Sequence, residues 1–468
     1  MPPPIVLDPA DTGPLYVQIA SRLRAAMAAG TLTAGARLPS ARTLASQLGI
    51  TRGTVDAAYA LLAGEGSIEA RGSAGTVVSR HMALLTAPPA QRAMKLGAGK
   101  RPHGAVSPVP FRMGLPALDT FPRKLWSATV ARAARAVSQP DLAYPDPAGF
   151  RGLREAIAAY LGVSRGIACS PEQVLVTSGF QGALALVRSV LLRPGDAVWV
   201  EDPGYALARQ ALELAGVSLV PIAVDRDGMR VPAGLIAAPR AKLAVVTPTH
   251  QSPLGVALSL PRRLALLTWA AEAGAWVLED DYDSEFRYTG HKLPALKSLD
   301  RGERVIFAGT FSKVLFPGLR LGYLVVPDAL TDAFLRASRL LNCGQPVLEQ
   351  RAVAAFMEQG HFGRHLRRMR SLYADRRQAL AVALRAAFGE RIVLELEAGG
   401  MHLLVRFPGM QDDGAVVRRA LAAGLAPTAL SGLSMAHDCG QGLLLGFTNV
   451  PEAEAVSLVA RLAQAVAG

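Results

Sequence analysis

The first eighty residues divide into short amphipathic segments separated by glycines. Apolar residues recur at every fourth position of the first segment, at Leu15, Ile19, Leu23 and Met27. This spacing predicts a helix with one apolar stripe, and the helix ends at Gly30.

A second helix is predicted after Ser40, because a serine hydroxyl can accept a free backbone N–H in the first turn. Gly49 ends this helix, and Thr51 is expected to cap a third one.

The third predicted helix is followed by two short runs that favour β-structure. The residues expected on its buried face are Val55, Ala58, Tyr59 and Leu62. Residues 67–70 and 76–78 have the composition of strands and flank a turn between Gly72 and Gly75. Three short helices followed by a hairpin predict an α+β winged helix-turn-helix, which we assign to residues 1–80.

The hydrophobic pattern changes after residue 80. The stretch 81–110 has no sustained period, contains several prolines and glycines, and carries four basic and no acidic residues. We interpret it as a basic interdomain linker. Its charge is explained either by simple solvation of the linker or by contact with an acidic partner.

From Phe111 onward, short apolar runs alternate with helical segments. The runs that we predict as strands are 174–177, 197–200, 243–246, 276–279, 305–309 and 322–326. Runs this apolar fit strands that are buried on both faces of a mostly parallel sheet under helices. Residues 111–468 are therefore predicted to form an α/β domain, with a smaller α+β lobe that begins near residue 345.

Composition and charge narrow the class of protein. The chain has 468 residues, a formal net charge of +13 and a sequence pI of about 10.1. A basic balance suggests an acidic partner such as DNA, without proving one. No run of 18 apolar residues and no signal-peptide pattern is present, so a cytoplasmic protein without membrane contact is expected. Cys169, Cys343 and Cys439 lie far apart, which gives no support to a zinc site or a disulfide framework.

The candidate DNA-reading residues lie at the starts of the second and third helices and in the hairpin turn. Arg42, Arg52 and Thr54 occupy positions from which side chains reach base edges and phosphates. An arginine there can hold a guanine edge or a phosphate through two hydrogen bonds. Gly75 would let the hairpin backbone approach the DNA closely. Each arginine taken alone could be an ordinary surface residue, but their shared position favours DNA binding.

The run from Leu38 to Val78 resembles the winged-helix domain of GntR-type bacterial transcription regulators, and the resemblance covers residues 14–79. It implies that the partner is double-stranded operator DNA. The implied DNA contacts are Arg42, Arg52, Thr54 and Gly75. The family usually has Gly-Ser-Gly-Thr in the wing, whereas this chain inserts Ala74, which changes the tip of the wing.

One lysine follows an apolar strand in a pattern that suits a reactive amine. Lys313 ends the run Gly-Thr-Phe-Ser-Lys directly after the strand predicted at 305–309. A lysine at such a junction suits a Schiff-base nucleophile that condenses with an aldehyde. Thr310 and Ser312 can hydrogen-bond a nearby phosphate, and Arg320 can add a charge-assisted bond. An isolated Ser-Lys pair is more often a surface feature, so this interpretation depends on the other motifs.

Three further motifs also follow predicted strands. Asp280 can pair with a protonated ring nitrogen and so make a pyridinium an electron sink, with Tyr282 near the ring oxygen. A solvated acidic loop is the alternative for this motif. Phe180 and Gln181 begin a helix after a glycine-containing turn, where free backbone amides bind a phosphate. Tyr205 could stack on a planar ring or could be a simple turn aromatic.

Taken in order, these motifs resemble fold-type-I pyridoxal phosphate proteins, the aminotransferase superfamily, over residues 111–468. The resemblance implies pyridoxal 5'-phosphate as the cofactor, with Lys313 as its covalent attachment point. It implies Asp280 at the ring nitrogen and Tyr282 at the ring oxygen. The implied phosphate-binding residues are Phe180, Gln181, Thr310, Ser312 and Arg320. Tyr144 matches a tyrosine that reaches the phosphate of a neighbouring subunit, which implies a homodimer.

The combination of the two halves resembles the MocR/GabR subfamily of regulators, of which the runs 249–251 and 279–288 are typical. The resemblance implies a DNA-binding transcriptional regulator whose second domain senses an amine or pyridoxal phosphate. The alternative is an active aminotransferase with a DNA-binding appendage, because Lys313 and Asp280 are both present. A protein whose helical N-terminus only dimerises would leave Arg42 and Arg52 unexplained.

Two positions depart from the pattern of the related enzymes. Relatives that bind amino acids grip the carboxylate with an arginine near the C-terminus, where this chain has Leu444. A leucine cannot pair with a carboxylate. The ligand therefore lacks a carboxylate held in this way, or is the cofactor alone, or uses another arginine such as Arg209. Ser252 stands where an asparagine would bond the ring oxygen, which weakens the case for fast transamination.

Overall fold

The computed structural model describes residues 13–72, 75–79, 109–290 and 293–467. These residues belong to two compact units, one on each side of the stretch 80–108. The predicted linker over 81–110 therefore lies almost wholly outside the described residues. Within the described ranges, no helix is long and apolar enough to cross a membrane.

The first unit consists of three helices and a two-stranded antiparallel hairpin. Its elements are α1 (Leu15–Ala28), α2 (Ala41–Leu48), α3 (Arg52–Gly64), β1 (Ile68–Ala70) and β2 (Thr76–Val78). In the hairpin, Ile68 pairs with Val78 and Ala70 pairs with Thr76. The helices pack around a core that includes Ile19, Leu23 and Leu62. The predicted winged helix-turn-helix is confirmed.

The ends of α2 and α3 show how the local sequence sets the helices. The Ser40 hydroxyl accepts the backbone N–H of Thr43 at 3.1 Å, as predicted. Thr51 was expected to cap α3 in the same way, but its hydroxyl instead contacts the Thr54 hydroxyl at 2.9 Å. The apolar stripe on α1 is also shorter than predicted, because Leu15 is 43% exposed and the buried face begins with the second turn.

The second unit is built on an eight-stranded sheet. Its strands are β3 (Val174–Thr177), β4 (Ala197–Asp202), β5 (Ser218–Asp225), β6 (Gly228–Met229), β7 (Leu243–Val246), β8 (Trp276–Asp281), β9 (Val305–Thr310) and β10 (Gly322–Val325). Their spatial order is β3-β10-β9-β8-β7-β4-β5-β6. The pairs from β5 through β4, β7 and β8 to β9 are parallel, whereas β10 runs antiparallel to both of its neighbours.

All six predicted strands are present, and the mostly parallel sheet is confirmed. The pattern missed β5 and β6, which lie at one edge of the sheet. The reason is that β5 contains Pro221 and is only partly buried along most of its length, so it has no continuous apolar run. By contrast, β3 and β10 are buried at every position.

Helices cover this sheet and connect its strands. They are α4 (Arg123–Arg135), α5 (Arg151–Arg165), α6 (Phe180–Leu191), α7 (Ala206–Glu213), α8 (Val231–Ala237), α9 (Leu260–Ala273), α10 (Leu296–Leu299), α11 (Thr331–Asn342) and α12 (Val347–Glu358). Three buried clusters of apolar side chains lie between the sheet, these helices and the C-terminal part of the chain.

The C-terminal part forms a smaller α+β lobe, as predicted. It contains α13 (His361–Phe388), β11 (Val393–Glu395), β12 (His402–Arg406), α14 (Asp413–Ala422), β13 (Thr428–Ala429), β14 (Leu443–Gly446) and α15 (Ala455–Ala467). Its four strands form an antiparallel sheet in the order β11-β12-β14-β13. This lobe supplies one wall of the cavity described next.

Candidate functional site

A cavity of about 360 Å³ lies at the carboxyl ends of the parallel strands of the second unit. Side chains that follow β3, β4, β8 and β9 meet there, because parallel strands bring their carboxyl ends to the same edge of a sheet. The predicted cofactor residues that line the cavity are Phe180, Gln181, Tyr205, Asp280, Tyr282, Thr310, Ser312, Lys313 and Arg320. Motifs that are separated in sequence are thus brought into one site.

Tyr144 is the predicted cofactor residue that lies apart from this cavity. Its side chain is 92% exposed in the single chain, and it does not line the cavity.

The lysine amine reaches back to the segment that precedes α4. Nζ of Lys313 donates a hydrogen bond to the carbonyl oxygen of Gly114 at 2.9 Å. Gly114 has φ +70, and a Cβ at this position would overlap Nζ. Burial lowers the pKa of Lys313, while the nearby charge of Asp280 opposes this effect. A buried amine with a lowered pKa is easier to deprotonate, which is the state required of a nucleophile.

Asp280 lies in β8 and is buried. Burial, assisted by the charge of Asp281, raises the pKa of Asp280 well above its usual value, and the charge of Lys313 opposes the rise. A protonated ring nitrogen placed beside this carboxyl group would compensate its buried negative charge. The buried carboxylate therefore favours binding of a ring whose nitrogen carries a positive charge.

The phenol of Tyr282 contacts the side chains of His250 and Ser252. Its phenolic oxygen lies 2.9 Å from Nδ1 of His250, and the same nitrogen lies 3.1 Å from a carboxylate oxygen of Asp283. Burial raises the pKa of Tyr282 well above its usual value, and a hydrogen bond with Ser252 opposes the rise. The phenol is therefore neutral at physiological pH and can donate its proton to an acceptor in the cavity.

The N-terminus of α6 lines another part of the cavity. The first backbone amides of this helix have no partner within the helix. Arg320 lies beside it and donates a hydrogen bond from Nη2 to the carbonyl oxygen of Ser178 at 3.1 Å. The backbone N–H of Ser312 donates to Oγ1 of Thr310 at 3.1 Å. Nε2 of Gln181 is buried, and the Gln181 side chain lies within hydrogen-bonding reach of the Tyr205 phenol. These donors suit an anion with several oxygens, such as a phosphate ester.

Several cavity residues carried no signal in the sequence. Met113 and Gly114 precede α4, whereas Met401, His402 and Leu433 come from the C-terminal lobe. Nε2 of His402 lies 2.8 Å from the carbonyl oxygen of Pro253, and burial lowers the pKa of His402 to about 4. No local motif marks these residues, because only the packing of the lobe against the sheet brings them to the cavity.

In the first unit, the predicted DNA-binding residues lie where the sequence placed them. Arg42 is exposed near the start of α2, and Arg52 is the exposed first residue of α3, 3.3 Å from Asp56. Thr54 lies in the first turn of α3 and is only partly exposed. Gly75 has φ +82, and a Cβ there would lie 3.0 Å from Nε of Arg37. The inserted Ala74 lies outside the described residues.

Both units match known families. Residues 15–78 match the family described as "Bacterial regulatory proteins, gntR family". Residues 117–425 match the family described as "Aminotransferase class I and II".

Two curated relatives resemble the chain over almost its whole length. The "Probable rhizopine catabolism regulatory protein MocR" of Rhizobium meliloti is 37% identical over 457 residues, which cover 95% of this chain and 92% of the relative. The "HTH-type pyridoxine biosynthesis transcriptional regulator PdxR" of Corynebacterium glutamicum is 34% identical over 470 residues, which cover 99% of this chain and 98% of the relative.

Among solved structures, the chain is similar to LysN, the alpha-aminoadipate aminotransferase of Thermus thermophilus, complexed with N-(5'-phosphopyridoxyl)-L-leucine. The TM-score is 0.70 at 30% sequence identity, and the match covers 77% of this chain and 93% of LysN.

Proposed function

The chain belongs to the MocR-type transcriptional regulators, in which a GntR-family domain precedes an aminotransferase class I and II domain. On this basis we propose a function for each of its two units. The first unit binds operator DNA. The second binds pyridoxal 5'-phosphate at Lys313 and senses a small amine or the cofactor itself. The observation that carries the proposal is the convergence of Lys313, Asp280 and Arg320 on one cavity.

When bound, pyridoxal phosphate supplies an aldehyde that condenses with amines and a ring that withdraws electrons. Lys313 would hold it covalently, and its lowered pKa keeps more of its amine unprotonated. Asp280 would accept a hydrogen bond from the protonated ring nitrogen. Tyr282 would donate to the ring oxygen, and Tyr205 would stack on the ring.

The phosphate would lie at the N-terminus of α6. The backbone amides of Phe180 and Gln181 would donate to it, and the helix dipole would favour its negative charge. Thr310, Ser312 and Arg320 would add further hydrogen bonds. The buried side chain of Gln181 also lines the cavity and offers a further donor beside this site.

In the DNA-binding unit, α3 would enter the major groove. Arg52 and Thr54 at its start would contact bases or phosphates, and Arg42 would contact the backbone from α2. Gly75 would let the wing approach the duplex. The net positive charge of the chain adds to the attraction without selecting a sequence.

We infer that the regulator is a homodimer in which Tyr144 of each chain would contact the phosphate bound by the other chain. The 92% exposure of this aromatic side chain in the single chain supports the assignment. The runner-up function is an active aminotransferase that carries a DNA-binding domain. Lys313 and Asp280 favour it, whereas Ser252 and Leu444 disfavour it.

The visible spectrum of the purified protein tests the proposal, with pyridoxal phosphate added and a panel of primary amines titrated. Lys313→Ala should abolish the cofactor band and the borohydride-reducible adduct but retain DNA binding. Lys242→Ala, which removes an exposed lysine, should leave both unchanged. A reducible adduct in Lys313→Ala would overturn the lysine assignment. Decay of the band to the pyridoxamine form would favour the transaminase instead.

A further inference from the structure

We propose that the effector of this site is a primary amine that carries an apolar substituent and no carboxylate. The inference rests on the proposed function, because it assumes that an amine enters the cavity beside the cofactor. It adds the chemical class of that amine, which follows from the part of the cavity wall that the cofactor residues do not use.

That part of the wall is mainly apolar. Its apolar side chains are Met113, Leu207, Met401 and Leu433. His402 and Thr428 also line the cavity, but burial lowers the pKa of His402 to about 4, so its ring is neutral at physiological pH. The wall therefore offers contact for a hydrocarbon group and no fixed positive charge.

Among the described residues that line the cavity, the cationic side chains are Lys313 and Arg320. Lys313 is the attachment point for the cofactor. Arg320 lies beside the N-terminus of α6 and donates to Ser178, so it serves the phosphate end. Neither remains for a carboxylate on the effector.

Leu444, which stands in place of the expected arginine, is buried in an apolar cluster. It is fully buried with Leu404 and Leu430, and this cluster packs against Met113 and Leu433 in the cavity wall. The replacement is therefore built into the packing of the lobe. Position 444 supports the wall from behind and presents no polar group.

The alternative arginine is already engaged. Nη1 of Arg209 donates to the carbonyl oxygen of Leu433 at 2.7 Å and lies 3.7 Å from Asp202, and Arg209 does not line the cavity. Arg112 has a buried Nε without a hydrogen-bond partner, but it does not line the cavity either. Thus neither side chain is placed to receive a carboxylate.

The loop that carries Leu433 is fixed in place. The buried carboxylate of Asp202 accepts the backbone N–H groups of Met435, Ala436 and His437 at 2.7–2.8 Å. The carbonyl oxygen of Leu433 also accepts the N–H of Gly204 at 3.1 Å. Freeing Arg209 for a ligand would disrupt this anchored loop. A carboxylate in the cavity would thus lose its hydration without gaining a cationic partner, which is unfavourable.

Matched pairs of probes test the inference on the native, cofactor-loaded protein. The first pair is 3-methylbutylamine and leucine, which differ only in the α-carboxylate. The second is hexylamine and 6-aminohexanoate, which differ only in a terminal carboxylate. Calorimetry gives the dissociation constants, the cofactor band reports loading in the same samples, and fluorescence anisotropy reports the effect on DNA affinity.

We expect the amine of each pair to bind at least tenfold more tightly than its carboxylate counterpart. Equal binding, or tighter binding of leucine, would overturn the inference. If the cofactor band is present and neither amine binds, the inference fails while the cofactor assignment stands. If the cofactor band never forms, the proposed function itself fails.

A variant supplies the missing charge as a second test. Leu433→Arg places a cation in the cavity wall at a position that is only partly buried. We expect it to reduce the preference for 3-methylbutylamine over leucine at least fivefold, whereas Leu433→Met should retain the native preference. An unchanged preference in a folded, cofactor-loaded Leu433→Arg protein would contradict the assignment of this wall.

Discussion

Nδ1 of His250 lies 2.9 Å from the phenolic oxygen of Tyr282, and so joins two motifs that are separate in the sequence. His250 follows β7, whereas Tyr282 follows β8. The contact requires a glycine at position 400, because a Cβ there would overlap the imidazole ring. Asp283 lies 3.1 Å from the same nitrogen. His250 is thus a positioning residue for a phenol that lines the cavity.

Removing His250 should weaken cofactor binding through Tyr282. We expect His250→Ala and Tyr282→Phe to be non-additive, with a coupling free energy of about 0.5–1.5 kcal/mol, the range for one hydrogen bond. Spectroscopic titration with pyridoxal phosphate measures the dissociation constants for the double-mutant cycle. A control cycle that pairs Tyr282→Phe with His361→Ala should be additive. Additivity of the first cycle would show that the contact does not act on the cofactor.

Gly114→Ala should reduce covalent attachment of the cofactor. A Cβ at position 114 would overlap Nζ of Lys313, so the lysine side chain would have to shift from its present position. Gly166→Ala is the matched control, since both glycines have φ +70 but the Cβ at 166 has its nearest neighbour at 3.7 Å. Both variants should lose about 1–2 kcal/mol of stability from the left-handed backbone.

The outcome is read from the yield of borohydride-reduced adduct at fixed cofactor concentration. The yield should fall only in Gly114→Ala. Loss in both variants would point to general destabilisation, and retention in both would remove Gly114 from the lysine site.

Arg52→Ala should weaken operator binding by about 1–3 kcal/mol, because an arginine at the start of α3 is placed to contact a base or phosphate. Arg24→Ala is charge-matched and lies in the same unit, but Arg24 is paired with Glu65 at 2.7 Å. It should weaken binding less. Fluorescence anisotropy on a fragment chosen by selection from random DNA gives the affinities. Equal losses in the two variants would mean that Arg52 contributes only its charge.

Acidification should destabilise the second unit partly through His402. Burial lowers the pKa of His402 from 6.5 to about 4. Between these values the unfolded chain binds a proton that the folded chain does not, so stability rises with pH across this window. The contribution is complete above pH 6.5 and falls by about 3 kcal/mol as the pH decreases to 4.

Thermal midpoints measured at pH 7.5 and pH 5 test this prediction. His402→Asn should reduce the difference between the two midpoints, whereas His361→Asn should leave it unchanged. Part of the difference should remain in His402→Asn, because burial also lowers the pKa of His365 to about 4. A full pH dependence in His402→Asn would exclude this residue as a cause.

Mixed dimers test the proposed role of Tyr144 between subunits. Tyr144→Phe should weaken cofactor binding by about 1.5–3 kcal/mol, the range for a hydrogen bond to a charged group. If Tyr144 acts on the partner's phosphate, mixing it with Lys313→Ala should create heterodimers with one complete site each. Tight cofactor binding should then return after subunit exchange, measured by spectroscopic titration. No recovery on mixing would place Tyr144 outside the site or within its own chain.

The repetitive and local features of this chain were predictable from the sequence. Helix α3 follows from its apolar spacing, and every residue expected on its buried face is buried. Strands such as β7 and β9 follow from continuous apolar runs. The motifs around Asp280 and Lys313 were visible because each chemical group stands at or shortly after the carboxyl end of such a strand. The partly buried and proline-containing β5 had no comparable signal, since a strand near the edge of a sheet need not be apolar on both faces.

The sequence alone determined the two-part architecture and the leucine at position 444, and it supplied the predicted set of cofactor residues. Only the tertiary structure decided that Leu433 and His402 complete the cavity, that Asp202 anchors the wall, and that Arg209 is already engaged. The physical reason is distance along the chain: more than 200 residues separate Asp202 from Met435. Such contacts arise from the packing of the C-terminal lobe against the sheet, which no local periodicity encodes.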